Sequence, residues 1–155
     1  MKNPVWIAPA GVAETRNVCF QAVSVFGLAA VPAGVELHIA AESRYRLYVN
    51  GSYLGDGPIR GSRTVCFFDC YHIAERLRPG RNVIAVEVQC MNYPSFVAVP
   101  AEPALWVEFS GLPDFSPEWR VRRAPEWRCD TDYFSLQSGY SEWIDHRRES
   151  AGWRR

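Results

Sequence analysis

An all-β fold, two antiparallel sheets packed face to face as a sandwich, is what this sequence predicts on three observations. Strand-like runs recur at short, regular intervals with Gly, Pro and Asn between them. No segment sustains the apolar period of an amphipathic helix. The two clearest strands, Asn82 to Cys90 and Leu105 to Phe109, are joined by a long connection, Met91 to Pro103, whose three prolines suit a crossing from one sheet to the other.

Each element follows from its own residues. Residues 1–16 read as an N-terminal lead. Asn17 to Phe26, rich in Val and Phe, reads as the first long strand. From Val35 to Ala41 the apolar positions alternate with Glu36, His38 and Ala40, so one face is expected to be buried. Tyr45, Leu47 and Val49 alternate in the same way with Arg44, Arg46, Tyr48 and Asn50. Asn50-Gly51 then offers the positive φ values of a tight hairpin, and a strand from Tyr53 to Gly55 is expected to pair back. Gly55, Gly57 and Pro58 read as an irregular corner, Val65 to Asp69 as a further strand, Ile73 to Leu77 as a single turn, and Pro79-Gly80 as a reversal. In the strand that follows, Ile84, Val86, Val88 and Cys90 share one face and Val83, Ala85, Glu87 and Gln89 the other. Beyond Gly111 the alternation fades, and Trp119, Trp127, Trp143 and Trp153 are spread among Arg, Pro and Asp. The sandwich is therefore assigned to residues 17–124, and residues 125–155 to a tail that docks on it or leads towards a next domain.

Composition narrows the function classes. With 155 residues, 48% of them hydrophobic, the chain can bury one core but hardly two. Seventeen basic and seventeen acidic residues cancel, which removes the basic footprint of a nucleic-acid or anionic-membrane binder. No apolar run reaches the length of a membrane span, and Met1 to Pro9 is not an export signal. Cys19, Cys66, Cys70, Cys90 and Cys129 form an odd set without paired spacing and are expected to be buried free thiols. The compartment stays open, with the cytoplasm favoured.

Three segments carry a resemblance: Tyr45-Arg46-Leu47-Tyr48-Val49-Asn50-Gly51, Gly55-Asp56-Gly57-Pro58-Ile59-Arg60, and Leu77-Arg78-Pro79-Gly80-Arg81-Asn82-Val83-Ile84-Ala85-Val86. Together they look like the N-terminal β-sandwich domain of bacterial α-L-rhamnosidases, with a weaker echo in Glu142 to Arg147. The sugar-binding domain of β-galactosidase-like glycosidases shares the first and third segments but usually lacks the second, and is the alternative. The resemblance implies a galactose-binding-like jelly roll whose parent glycoside hydrolase is inverting and keeps both carboxylates in a separate (α/α)6 barrel. It therefore implies a non-catalytic accessory domain with no catalytic residue. Its partners would be other domains of the same glycosidase and rhamnose-containing glycans. The ending at Gly152 to Arg155 reads on this basis as a cut within a longer chain. One departure is local: His72 and Ala74 stand where the family often shows Asp and Thr, which removes the usual side-chain cap.

Sugar recognition needs an exposed ring for the pyranose face and planar polar groups for its hydroxyls. Arg46, Tyr48, Tyr53, Arg60, Asn92, Tyr93 and Trp106 meet that description and suit an interdomain interface equally well. Interface is the favoured role, and Arg60 is the best single interface or pocket residue; a freestanding lectin-like module is the rival. Asn50, Gly51, Gly57, Pro58, Pro79 and Gly80 are assigned to turns. Asp130 with Asp132, and Glu142 with Asp145, are read as chance neighbours rather than a hydrolytic pair. His38, His72 and His146 lack partners at metal-ligand spacing, so no metal site and no cofactor is expected. A structural calcium held by loop oxygens is compatible with such a fold, although no spacing specifies it. Cys66 and Cys70 fall on one face of the strand expected there and are read as core, and the Gly55-Gly57-Gly61 set lacks the helix that a phosphate loop needs.

Overall fold

Alternation along the chain becomes eleven short strands in the computed structural model, which describes residues 6–10, 16–62, 64–96, 99–112 and 115–155. The remainder of the expected lead, 1–5 and 11–15, lies outside the described residues. The strands are β1 (Trp6–Ile7), β2 (Val18–Leu28), β3 (Glu36–Ala41), β4 (Arg44–Val49), β5 (Ser52–Gly57), β6 (Asp69–His72), β7 (Gly80–Cys90), β8 (Leu105–Ser110), β9 (Arg120–Arg123), β10 (Tyr133–Ser135) and β11 (Gly139–Tyr140). They form an antiparallel four-stranded sheet in the order β1-β8-β3-β6 and an antiparallel five-stranded sheet in the order β5-β4-β7-β2-β9, with β10-β11 as a separate hairpin. The connection from β7 to β8 crosses between the sheets, as expected.

Residues spaced by two supply the core. Leu37 and Ile39 from one sheet meet Phe20, Tyr45, Leu47, Ile84 and Val86 from the other, all fully buried. The pleat puts such residues on one side of each strand, and burying that side on both sheets is the main favourable term in the fold. Asn50 and Gly51 take φ of 50° and 85° and turn β4 into β5, while Gly80 at 85° starts β7. The turn before β7 is a single 3₁₀ turn, Ala74–Arg76, preceded by the N-cap residue Ile73, which has no polar side chain and makes no cap bond.

β7 departs from the half-buried pattern. Val83 and Ala85 on its outer face are as buried as Ile84 and Val86 on its inner face. The cause is the segment after β9, which lies across that face. Gln21, on the outer face of β2, donates to Glu126 Oε1 at 2.6 Å and accepts from Arg122 Nε at 2.9 Å, and Trp127 bridges to Ile144.

Two expectations are corrected. Residues 65–68 do not form a strand; the chain loops there, with Ser62 N bonded to Val65 O, and pairing with β3 begins only at Asp69 opposite Ile39. Phe68 ends the ladder by turning its ring onto His38 and Trp106, at 5.4 and 5.6 Å between centroids. Cys66 and Cys70 are consequently exposed thiols rather than core, whereas Cys19 and Cys90 are buried as expected.

Candidate functional site

One end of the sandwich carries two adjoining clefts, of about 570 and 660 Å³, that share Ser43, Pro58, Ile59 and Arg60. Their common wall is the corner after β5, and its shape has a chain of causes. Tyr45, buried in the core, donates to Asp69 Oδ2 at 2.5 Å and lies 3.1 Å from the Tyr71 hydroxyl. This cluster ties the five-stranded sheet to β6 of the other and lies directly under β5. A Cβ at Gly57 would come within 2.2 Å of Asp69 Oδ2, and one at Gly55 within 2.6 Å of the Tyr71 hydroxyl. Glycine is needed at both positions for close approach. The chain then leaves through the cis Gly57-Pro58 peptide, and Ile59 and Arg60 project outward.

The first cleft is mixed in character. Arg44, Arg46 and Arg60 face Asp56, Glu87 and Glu142 across it. Arg46 reaches Glu87 at 3.3 Å, and Arg154 approaches the other Glu87 oxygen at 3.8 Å. Burial raises the Glu87 carboxyl above its ordinary value, partly offset by those two guanidinium groups. The second cleft is more apolar, with Trp6, Val65 and Phe67 in its wall and Glu42 at its base. Burial pushes the Glu42 carboxyl up to about 7, and neither of its buried oxygens has a hydrogen-bond partner among the described residues. Around the mouth Ile59 is 71% and Phe96 67% exposed.

The structure distributes the expected recognition residues over four places. Arg46 and Arg60 line the clefts. Tyr48 lies on the outer face of β4, as its parity predicts, but the chain end covers it: Arg154 sits 4.9 Å from its ring centre and Trp153 meets it edge-on at 6.1 Å. Tyr53 beside it is exposed and donates to Asp56 Oδ2 at 2.5 Å. Asn92, at φ 44°, and Tyr93 belong to the crossing connection, where Tyr93 is buried in a cluster with Met91, Tyr133 and Tyr140. Trp106 stands on the outer face of the four-stranded sheet opposite Trp6. Among the tail tryptophans, Trp119 packs on the core while Trp143 is exposed beneath Arg128, 4.7 Å away. Sequence parity missed Glu42 and Phe96; Glu42 follows the last alternating residue of β3, and nothing in its neighbours signals burial.

No family model matches the chain, and no curated protein does. Among solved structures, a GH78 family rhamnosidase of Bacillus sp. GL1 superimposes with a TM-score of 0.86 at 32% identity over 98% of this chain. In fold and sequence the chain is similar to one accessory domain of a GH78 rhamnosidase. It spans only 17% of that enzyme's length. The α-L-rhamnosidases of Streptomyces avermitilis and Aspergillus terreus share the fold, with TM-scores of 0.64 and 0.65 at 22% and 18% identity. They match 90% and 99% of this chain, which spans 15% and 20% of theirs. Of the segment Gly55 to Arg60, Pro58, Ile59 and Arg60 belong to the wall that both clefts share.

Proposed function

We propose that this chain is a non-catalytic accessory domain of an α-L-rhamnosidase, and that its clefted end docks on a neighbouring domain of the same enzyme. The observation that carries the reading is the match of nearly the whole chain to a small part of a large rhamnosidase. The clefted end supports it chemically. Ile59, Phe67 and Phe96 expose apolar surface beside Arg44, Arg60, Asp56 and Glu142, the mixture of apolar anchors and polar rim that interdomain contacts use. The parent enzyme would hydrolyse terminal α-L-rhamnosyl bonds with carboxylates outside this chain.

Carbohydrate binding is the second reading, favoured by Arg46, Arg60 and Asp56 converging on a cleft with Phe96 and Trp127 at its sides. The test is a calorimetric titration of the chain with L-rhamnose and rhamnosyl glycans beside an assay on an aryl rhamnoside. Docking is tested in a longer rhamnosidase carrying this domain, where Ile59→Asp and Phe96→Asp should lower the melting temperature of the whole enzyme more than that of the isolated domain. Turnover by the isolated chain that Glu42→Gln abolishes would overturn the non-catalytic reading. Sugar binding that Arg60→Ala removes would select the second one.

A further inference from the structure

The outer face of the four-stranded sheet brings together side chains that the sequence keeps far apart. β3 and β6 run antiparallel with His38 opposite Cys70 and Glu36 opposite His72. Residues two apart on a strand share a face, so all four side chains stand on the same side of one strand pair. Glu36 Oε2 lies 3.3 Å from His38 Nε2, and Glu36 Oε1 lies 3.3 Å from His72 Nδ1. A donor atom from each of Glu36, His38 and Cys70 falls within 4.8 Å of the others. Among the described residues this is the one grouping of three such donors.

We propose that Glu36, His38 and Cys70 form a binding site for a divalent transition-metal ion of the zinc class. One carboxylate oxygen, one imidazole nitrogen and one sulfur make a mixed set that suits a borderline-soft ion, whereas calcium and magnesium take shells of oxygen alone. Around a tetrahedral zinc, donor atoms sit roughly 3.5 Å apart. The donor atoms here lie within 4.8 Å of one another, so holding an ion requires them to draw in by about 1 Å. His72 holds the second Glu36 oxygen and so orients the carboxylate from outside the coordination shell. Phe68, packed on His38 and Trp106, walls one side, and the open side leaves the fourth position to water. The Cys70 thiol loses its proton to solvent as the metal–sulfur bond forms. The ion would clasp the edge strand β6 to β3 and brace the loop that leads from the clefts into β6.

The test is a titration of the reduced 155-residue chain with cobalt(II), followed by displacement with zinc. Binding of one equivalent with a thiolate-to-cobalt charge-transfer band that zinc abolishes is expected. Cys70→Ser should remove the band, His38→Ala should weaken affinity at least about tenfold, and Cys66→Ser should leave both unchanged. Circular dichroism checks that each surface variant folds, and zinc should raise the wild-type melting temperature but not that of Cys70→Ser. Absence of stoichiometric binding, or a band that survives Cys70→Ser and disappears with Cys66→Ser, overturns the proposal.

Discussion

Asn50 donates from its side-chain amide to Asn82 Oδ1 at 3.0 Å, joining the β4–β5 turn to the start of β7. Each asparagine also serves the backbone around it. Asn50 Nδ2 reaches Arg76 O at 2.8 Å and its oxygen accepts from Val83 N at 2.9 Å. Asn82 donates to Arg78 O and Gly80 O and accepts from Arg78 N. Two segments of the rhamnosidase resemblance are thus one hydrogen-bonded unit, in which Asn82 is fully buried.

Asn82→Ala should therefore destabilise the chain by about 2 to 4 kcal/mol, since several buried partners lose their bonds at about 1 kcal/mol each. Asn82→Asp keeps the acceptor but turns a buried carboxylate oxygen towards Arg78 O and Gly80 O, so at neutral pH it should cost at least as much as Asn82→Ala. Chemical denaturation at constant slope reads both. A loss below about 1 kcal/mol for Asn82→Ala would show that water replaces the network.

The corner at Gly57 gives a steric counterpart. Gly57→Ala places a methyl against Asp69 and the Tyr45 hydroxyl and should cost about 2 kcal/mol or more. Gly27→Ala is the control: nothing lies within 4 Å of its Cβ, so it should be neutral or slightly stabilising. Equal effects of the two would mean that the Tyr45–Asp69 contact gives way without cost.

Much of this architecture was legible because the period of two and the Gly and Asn turns are local signals. The alternation of β3 and β4, the Asn50-Gly51 turn and the crossing before β8 all follow from neighbours in sequence. What stayed hidden depends on partners far along the chain. His38 reads correctly as outward-facing, yet its nearness to Cys70 depends on the β3–β6 register, in which pairing starts at Asp69 opposite Ile39 rather than at Val65. Tyr48 reads correctly as off the core, but no local pattern announces that Arg154 will cover it. The clefts are half visible in the sequence: Arg46 and Arg60 stand out there as outward-facing cations, whereas Glu42 and Phe96 acquire their positions only when the two sheet ends meet.

Glu42 predicts a pH dependence. Its carboxyl is raised from 4.5 to about 7 by burial, so between these values the folded chain holds a proton that the unfolded chain has released. Stability therefore falls as pH rises from about 4.5 to 7 and levels off above, by up to about 3 kcal/mol from this group. Glu42→Gln removes the titration. Subtracting its stability profile from that of the wild type isolates Glu42 from the other carboxylates. A difference that is flat over this window, or that rises with pH, would contradict the assignment.

The chain end supplies the last prediction. Arg154 stacks on Tyr48 and on Trp153, pairs with Glu149, and approaches Glu87, so one guanidinium links the end of the chain to the outer face of β4 and β7. Tyr48 is also the ring against which Trp153 rests. Tyr48→Ala should release residues 149–155 while leaving the sandwich intact, because the Tyr48 side chain lies outside the core that Leu47 and Val49 share. The expected cost is about 1 kcal/mol, in line with the loss of aromatic contacts at a half-buried site. Limited proteolysis should show faster cleavage near the C-terminus, with amide exchange in β2 and β7 unchanged. Exchange that accelerates throughout β7 instead would make the chain end an integral support of the five-stranded sheet, and Arg154→Ala would then have to reproduce the effect.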